Sequence, residues 1–191
     1  MAINGNTAAV LGRSLTTLRD VVDRTLSEVR LAAGNQQRER VSVTAFLDDI
    51  ATTAMLHSEY RNIRLTIAPG DSAWTVEGDP QLLTSAVMNL LHNAFKYTRP
   101  GGDVVLRARA DGDRLVIEVE DECGGLPDTK EDIFRPFGER RGRDRSGLGL
   151  GLSIARQAIR VHGGDIRVRN MPGQGCVFAI DLPLADAVIA P

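Results

Sequence analysis

Apolar residues recur along this chain with two periods, one helical and one of strands. Leu11, Leu15, Leu18, Val22, Thr25 and Val29 step alternately by four and three. That spacing predicts a helix whose narrow seam packs lengthwise on another helix, and an intermolecular bundle suits it better than the chain's own core. Gly34 and Asn35 form its stop. Residues 34–40 (GNQQRER) carry no apolar side chain and read as a linker or an exposed helix end. Helical spacing resumes at Val43, Phe46, Leu47, Ile50, Ala54 and Met55. Alternation over 64–68, before Pro69-Gly70, predicts a strand, and 74–76 a shorter one. Residues 79–97 read as a helix with Pro80 in its first turn, where a missing N–H costs nothing. Two strands, 103–110 and 114–121, flank the hairpin signal Asp111-Gly112. A polar loop rich in Gly and Arg runs to about residue 146, and residues 147–162 pass from glycine-rich turn into helix. Two last strands flank a turn at 170–175, with one Pro and two Gly. No internal repeat is present.

Composition narrows the function classes. The chain has 191 residues, 42% hydrophobic and 25% charged, close to the average for globular domains. A net charge of −2 argues against bulk electrostatic binding of nucleic acid. No apolar run approaches the roughly 20 residues that span a bilayer, and the first seven residues lack a signal-peptide core. Two cysteines, Cys123 and Cys176, make no disulfide framework, which favours a reducing, cytoplasmic setting.

Four segments carry candidate chemistry. In the 79–97 helix, Leu83, Val87, Leu90, Leu91 and Ala94 share one face, while Asn89, Asn93 and Lys96 cluster opposite. A polar stripe is ordinarily a solvated face. Two asparagines one turn apart, however, are middling-to-poor helix formers, and a lysine follows them. An amide oxygen suits a hard cation such as magnesium, and the lysine suits phosphates that the cation bridges. Asp121 shares parity with Leu115, Ile117 and Val119, so its carboxylate points inward at a strand end, or else caps its own turn. Gly124-Gly125 follows and permits a sharp turn. The run GLGLGL from Gly147 to Leu152 opens a helix, a phosphate-binding geometry, though not at dinucleotide-fingerprint spacing. Between these lies Phe134-Arg135-Pro136-Phe137 among Arg140, Arg141, Arg143 and Arg145, either a solvated charge run or a lid over a polyanion.

Together these segments resemble the sensor histidine kinases. Asn89-Leu-Leu-His-Asn93-Ala-Phe-Lys96-Tyr97 resembles their N box, Asp121-Glu-Cys-Gly124-Gly125 their first glycine box, Phe134-Arg-Pro-Phe137 their F box, and Gly147-Leu-Gly149-Leu-Gly151-Leu their second glycine box. The order and spacing are those of the family, over about residues 43–184. The resemblance implies an α/β fold of the Bergerat type, a two-layer sandwich of mixed β-sheet with helices on one face, preceded by an N-terminal helix. It implies three regions: 1–34 as part of the dimerisation helices, 35–42 as linker and 43–191 as the catalytic ATP-binding domain. The implied reaction moves the γ-phosphoryl of ATP to a histidine and thence to a response regulator, with magnesium as cofactor. The full-length protein would be a homodimer, with membrane attachment open and nucleic acid excluded as a partner.

By the same resemblance, Asn93 holds magnesium, Asn89 supports phosphates or an ordered water, Lys96 contacts a phosphate and Tyr97 lines the nucleotide. Asp121 accepts a hydrogen bond from the adenine amino group, and Gly125 lets the ring approach. Phe137 belongs to the nucleotide site; Gly147, Gly149 and Gly151 shape the lid hinge and phosphate cradle; Arg140 or a neighbour reaches the γ-phosphate. Two departures stand out. Cys123 replaces the first glycine of the Asp-x-Gly-x-Gly pattern, a buried inert thiol or a reactive one beside the nucleotide. No histidine stands in a phosphoacceptor motif: His57, His92 and His162 all lie elsewhere, so the acceptor helix is expected outside this chain. The rival readings are an ATPase of the gyrase, Hsp90 and MutL type, which resembles a user of a glutamate base absent between Asn89 and Tyr97, and a non-catalytic nucleotide-binding module.

Overall fold

The computed structural model describes residues 22, 25, 29, 31, 34, 36–68, 70–71, 73–126, 133–135 and 150–185. Its elements run β1 (Glu39–Ser42), α1 (Val43–Arg61), β2 (Arg64–Ala68), β3 (Thr75–Gly78), α2 (Pro80–Tyr97), β4 (Asp103–Asp111), β5 (Arg114–Asp121), α3 (Gly151–Arg160), β6 (Asp165–Met171) and β7 (Gly175–Pro183). Val22, Thr25, Val29 and Leu31 are helical ahead of these. Of the predicted seam, Val22 and Val29 are exposed; Leu11, Leu15 and Leu18 lie outside the described residues.

Five strands form a mixed sheet in the order β2-β4-β5-β7-β6, in which only β2 and β4 run parallel. The alternation read in the sequence sets its two faces. Val104 and Leu106 of β4, Leu115, Ile117 and Val119 of β5, and Phe178, Ile180 and Leu182 of β7 are buried in one core with the helices. The other face carries ion pairs, Arg107 reaching Glu118 at 2.7 Å and Glu120 at 2.9 Å. The result is a two-layer sandwich, as expected. The segment read as linker over 35–42 ends differently: Glu39–Ser42 is a strand, antiparallel to β3 with Val41 opposite Val76. One inward side chain in four residues is too short a pattern to register as a strand before its partner is known.

α2 starts where its chemistry says. Asp79 is the N-cap, its Oδ1 accepting from the N–H groups of Gln81 (3.0 Å) and Leu82 (3.2 Å), and Pro80 follows. This cap is tied to the end of α3. The Asp79 N–H donates to Nε2 of His162 (2.9 Å), and Nδ1 of the buried His162 lies 2.6 Å from the Ala158 oxygen. The ring is therefore neutral, Nδ1–H donating and Nε2 accepting.

Burial pushes the His162 pKa down, Arg38 adds to the effect, and Ala158 and Asp79 oppose it. A folded value below the unfolded one of about 6.5 means stability fully present above that pH and lost as pH falls through the folded value. Protonation sets two donors face to face, at a cost of about 1–3 kcal/mol. The stability difference between the chain and His162→Gln, from urea midpoints at pH 7.5 and 5.5, is therefore expected to shrink at the lower pH. An equal difference at both pH values would refute the neutral bridge.

Candidate functional site

Burial along α2 follows its apolar stripe: Leu82, Leu83, Ala86, Val87, Leu90, Leu91, Ala94 and Phe95 face the core. Asn89, Asn93 and Lys96 are half-buried and Tyr97 is exposed. Nδ2 of Asn89 donates to the Ser85 carbonyl at 2.8 Å, which leaves the amide oxygen as its ligand-facing group. Lys96 Nζ stands 5.1 Å from the centre of the Tyr97 ring, a cation–π contact that holds the ammonium near the helix end.

That end is fastened to the strand bearing Asp121. Thr98, buried after α2, accepts from the Glu122 N–H through Oγ1 at 3.3 Å. Asp121 closes β5 opposite Cys176 of β7 and is buried, as its parity predicted. Its Oδ1 accepts from the N–H groups of Cys123 (3.0 Å) and Cys176 (3.1 Å). The carboxylate is held by two N–H groups, with the Cys123 thiol beside it. The carboxylate thus caps the following turn and also points inward; the two readings of Asp121 are one geometry.

The turn after Asp121 is bolted to the β6–β7 hairpin. The Gly124 N–H donates to Gln174 (3.1 Å) and the Gly173 N–H to Gly124 (2.9 Å). Asn170 accepts from the Leu126 N–H at 2.7 Å and donates to the Leu126 oxygen at 3.2 Å. Both positive φ values fall on glycine, Gly124 at +80° and Gly125 at +96°, so Cys123 in place of the family's glycine distorts nothing. A side chain on Gly125 would meet Pro172 Cα at 3.0 Å and Asn170 Oδ1 at 3.1 Å. The close approach that requires this glycine is the protein's own hairpin.

Cys123 and Cys176 are thiols with their sulfurs 2.9 Å apart. Burial, with the adjacent Asp121 carboxylate second, pushes the Cys123 thiol above its ordinary range. Farther round, Gly151 is the first residue of α3, whose N-cap Leu150 makes no side-chain cap bond, and a helix start of this kind suits an anion. Phe134 packs 4.6 Å from the Arg156 guanidinium, which pairs with Asp165 at 2.7 Å and holds that carboxyl well below the usual range. Phe137, Arg140, Gly147 and Gly149 lie outside the described residues.

Sequence reasoning did not single out Gly175, Thr98 or Asn170. Gly175 and Asn170 read as turn punctuation and Thr98 as a helix end; only the tertiary structure reveals that they touch Asp121, Leu126 and Glu122 respectively. The amide oxygens of Asn89 and Asn93, the ammonium of Lys96 and the carboxylate of Asp121 are groups that suit a magnesium-bound purine nucleotide. Among the described residues no helix is long and apolar enough to cross a membrane.

Comparison with known proteins gives a consistent picture. Residues 78–186 match the family model described as histidine kinase-, DNA gyrase B- and HSP90-like ATPase. The alginate biosynthesis sensor protein KinB of Pseudomonas aeruginosa is 36% identical over 86% of this chain and 28% of its own length. The sensor histidine kinase CpxA of Escherichia coli K12 is 30% identical over 85% of the chain and 37% of its own length. The chain thus spans about a third of these relatives. The solved mycobacterial sensor histidine kinase MprB superposes with a TM-score of 0.63 at 30% identity, covering 77% of this chain and 97% of that one. The four boxes of the sequence, the mixed sheet and these matches agree: this chain belongs to the histidine kinase-, DNA gyrase B- and HSP90-like ATPase family, among the sensor histidine kinases.

Proposed function

We propose that this chain is the cytoplasmic ATP-binding catalytic domain of a two-component sensor histidine kinase, moving the γ-phosphoryl of ATP to a histidine on a dimerisation helix and from there to a response-regulator aspartate. The observation that carries the reading is the junction of α2 with the end of β5. There the Thr98–Glu122 hydrogen bond sets the Asn–Lys helix beside the buried Asp121 carboxylate, aimed by two N–H groups on its Oδ1.

In this reading Asp121 accepts the adenine amino group through Oδ2, while the N–H pair on Oδ1 keeps the carboxylate aimed. Tyr97 lines the nucleotide, Lys96 meets a phosphate, and Asn89 supports the phosphates through its amide oxygen. Asn93 holds magnesium, which, when bound, neutralises phosphate charge. Gly125, Gly147, Gly149, Gly151, Phe137 and Arg140 complete the nucleotide site and its lid. Catalysis is positioning and charge neutralisation, as suits phosphoryl transfer. An ATPase reading is disfavoured because no glutamate base stands between Asn89 and Tyr97.

The chain's own histidines make poor acceptors. His162 is buried, and the rings of His57 and His92 pack on each other, tilted by 51° with 4.8 Å between centres. Incubated with radiolabelled ATP and magnesium, the chain is expected to bind nucleotide without acquiring acid-labile phosphate. A histidine-bearing dimerisation helix joined ahead of it is expected to take up label on that histidine within the homodimer. Strong labelling of His57, His92 or His162 would overturn this division of roles, and failure of the joined protein to label would overturn the kinase reading.

A further inference from the structure

We propose that Cys123 and Cys176 are a redox pair, a site where a small disulfide oxidant converts two thiols at the foot of Asp121 into an intramolecular bridge. The sulfurs are 2.9 Å apart, and the two chain segments that carry them are already fixed. Cys176 sits in β7 opposite Asp121, Cys123 lies two residues beyond Asp121, and both N–H groups donate to the same Oδ1. A disulfide needs about 2.05 Å between sulfurs, so closure takes less than an ångström of movement with no strand displaced. Asp121 completes a possible S, S, O donor set with all ligand atoms within 4.8 Å. A tetrahedral zinc, however, holds two thiolates at about 2.3 Å each and therefore about 3.8 Å apart. The sulfurs stand closer than a metal would keep them and nearer to a bond.

Burial sets the order of events. Cys176 is fully buried and Cys123 partly exposed. Cys123, as thiolate, attacks one sulfur of oxidised glutathione; the S–S bond of glutathione breaks, and the expelled thiolate takes the proton Cys123 lost. Cys176 thiolate then attacks the Cys123 sulfur of that mixed disulfide, displacing the second glutathione thiolate, which takes the Cys176 proton. Two protein thiols are oxidised and one glutathione disulfide is reduced to two thiols. Because the Cys123 thiol is held above its ordinary range, the first step quickens as pH rises. The bridge pins the two residues whose N–H groups hold the Asp121 carboxylate.

The test treats the full chain with oxidised glutathione, quenches with acid and reads intact mass and cross-linked peptides. The expected product lacks two hydrogens, joins Cys123 to Cys176 within one chain and reverts with dithiothreitol. Cys176→Ser is expected to stop at a persistent glutathione adduct on Cys123, and Cys123→Ser to stay unmodified. A wild-type chain that stops at the adduct, links only between chains, or binds stoichiometric zinc and then resists closure would overturn the pair. Magnesium-ATP added beforehand is expected to slow closure, an arm that rests on the nucleotide reading above. Closure at an unchanged rate with nucleotide at saturation would count against adenine at Asp121 while leaving the redox pair standing.

Discussion

Asp121→Asn is expected to weaken ADP binding roughly ten- to hundredfold while leaving the melting temperature nearly unchanged. The two effects separate because the carboxylate does two jobs with two oxygens. Oδ1 accepts the Cys123 and Cys176 N–H groups, and an amide oxygen in that place keeps both bonds. The other position becomes an NH2, which meets the adenine amino group donor to donor. Loss of a hydrogen bond to a charged group is worth about 1.5–3 kcal/mol, and about 1.4 kcal/mol is tenfold in affinity. Isothermal titration calorimetry with magnesium and ADP, beside a thermal melt, reads both. An unchanged Kd in a folded variant sinks the adenine role of Asp121, and Asn93→Ala should likewise weaken the magnesium-dependent part of binding.

The largest expected loss of stability comes from Gly175→Ala. A Cβ there falls 1.7 Å from the Asp121 backbone oxygen, 2.8 Å from its carbonyl carbon and 3.1 Å from Glu122 Cα. All three are backbone atoms of the paired strand and its exit, so no side chain can swing aside. Relief requires parting β7 from β5 at the site itself, at a cost of about 3 kcal/mol or more. For a domain of this size that lowers the melting temperature by roughly 6–12 °C. Gly173→Ala is the internal comparison. Its Cβ meets nothing within 4 Å, and only the φ of +78° opposes it, a strain of about 1–2 kcal/mol. Denaturant melts that rank the two variants equally would remove the claim that strand contact, rather than turn geometry, selects Gly175.

Local signals explain how much of this was legible in sequence. Asp79 before Pro80 names the start of α2, and the observed cap bonds sit on that aspartate. The alternation of Leu115, Ile117, Val119 and Asp121 carries a side-chain period of two, so the inward direction of Asp121 followed from parity alone. β1 was not legible, because Glu39–Ser42 presents one buried side chain and earns strand geometry only from β3. His162 read as a helix-end residue; its bond to the Asp79 N–H joins positions 83 residues apart.

Apart from β1, the sequence by itself determined the main elements, the face each one buries and the order of the four boxes, since periodicity and capping act over a few residues and need no partner. The tertiary structure alone decided which of these meet one another. Thr98 joins the Asn–Lys helix to Glu122 beside Asp121, the β6–β7 hairpin dictates glycine at 125, the end of β5 dictates it at 175, and two cysteines far apart in sequence come within 2.9 Å. Those contacts arise from strand pairing at long sequence separation, where register rather than local pattern chooses the neighbour.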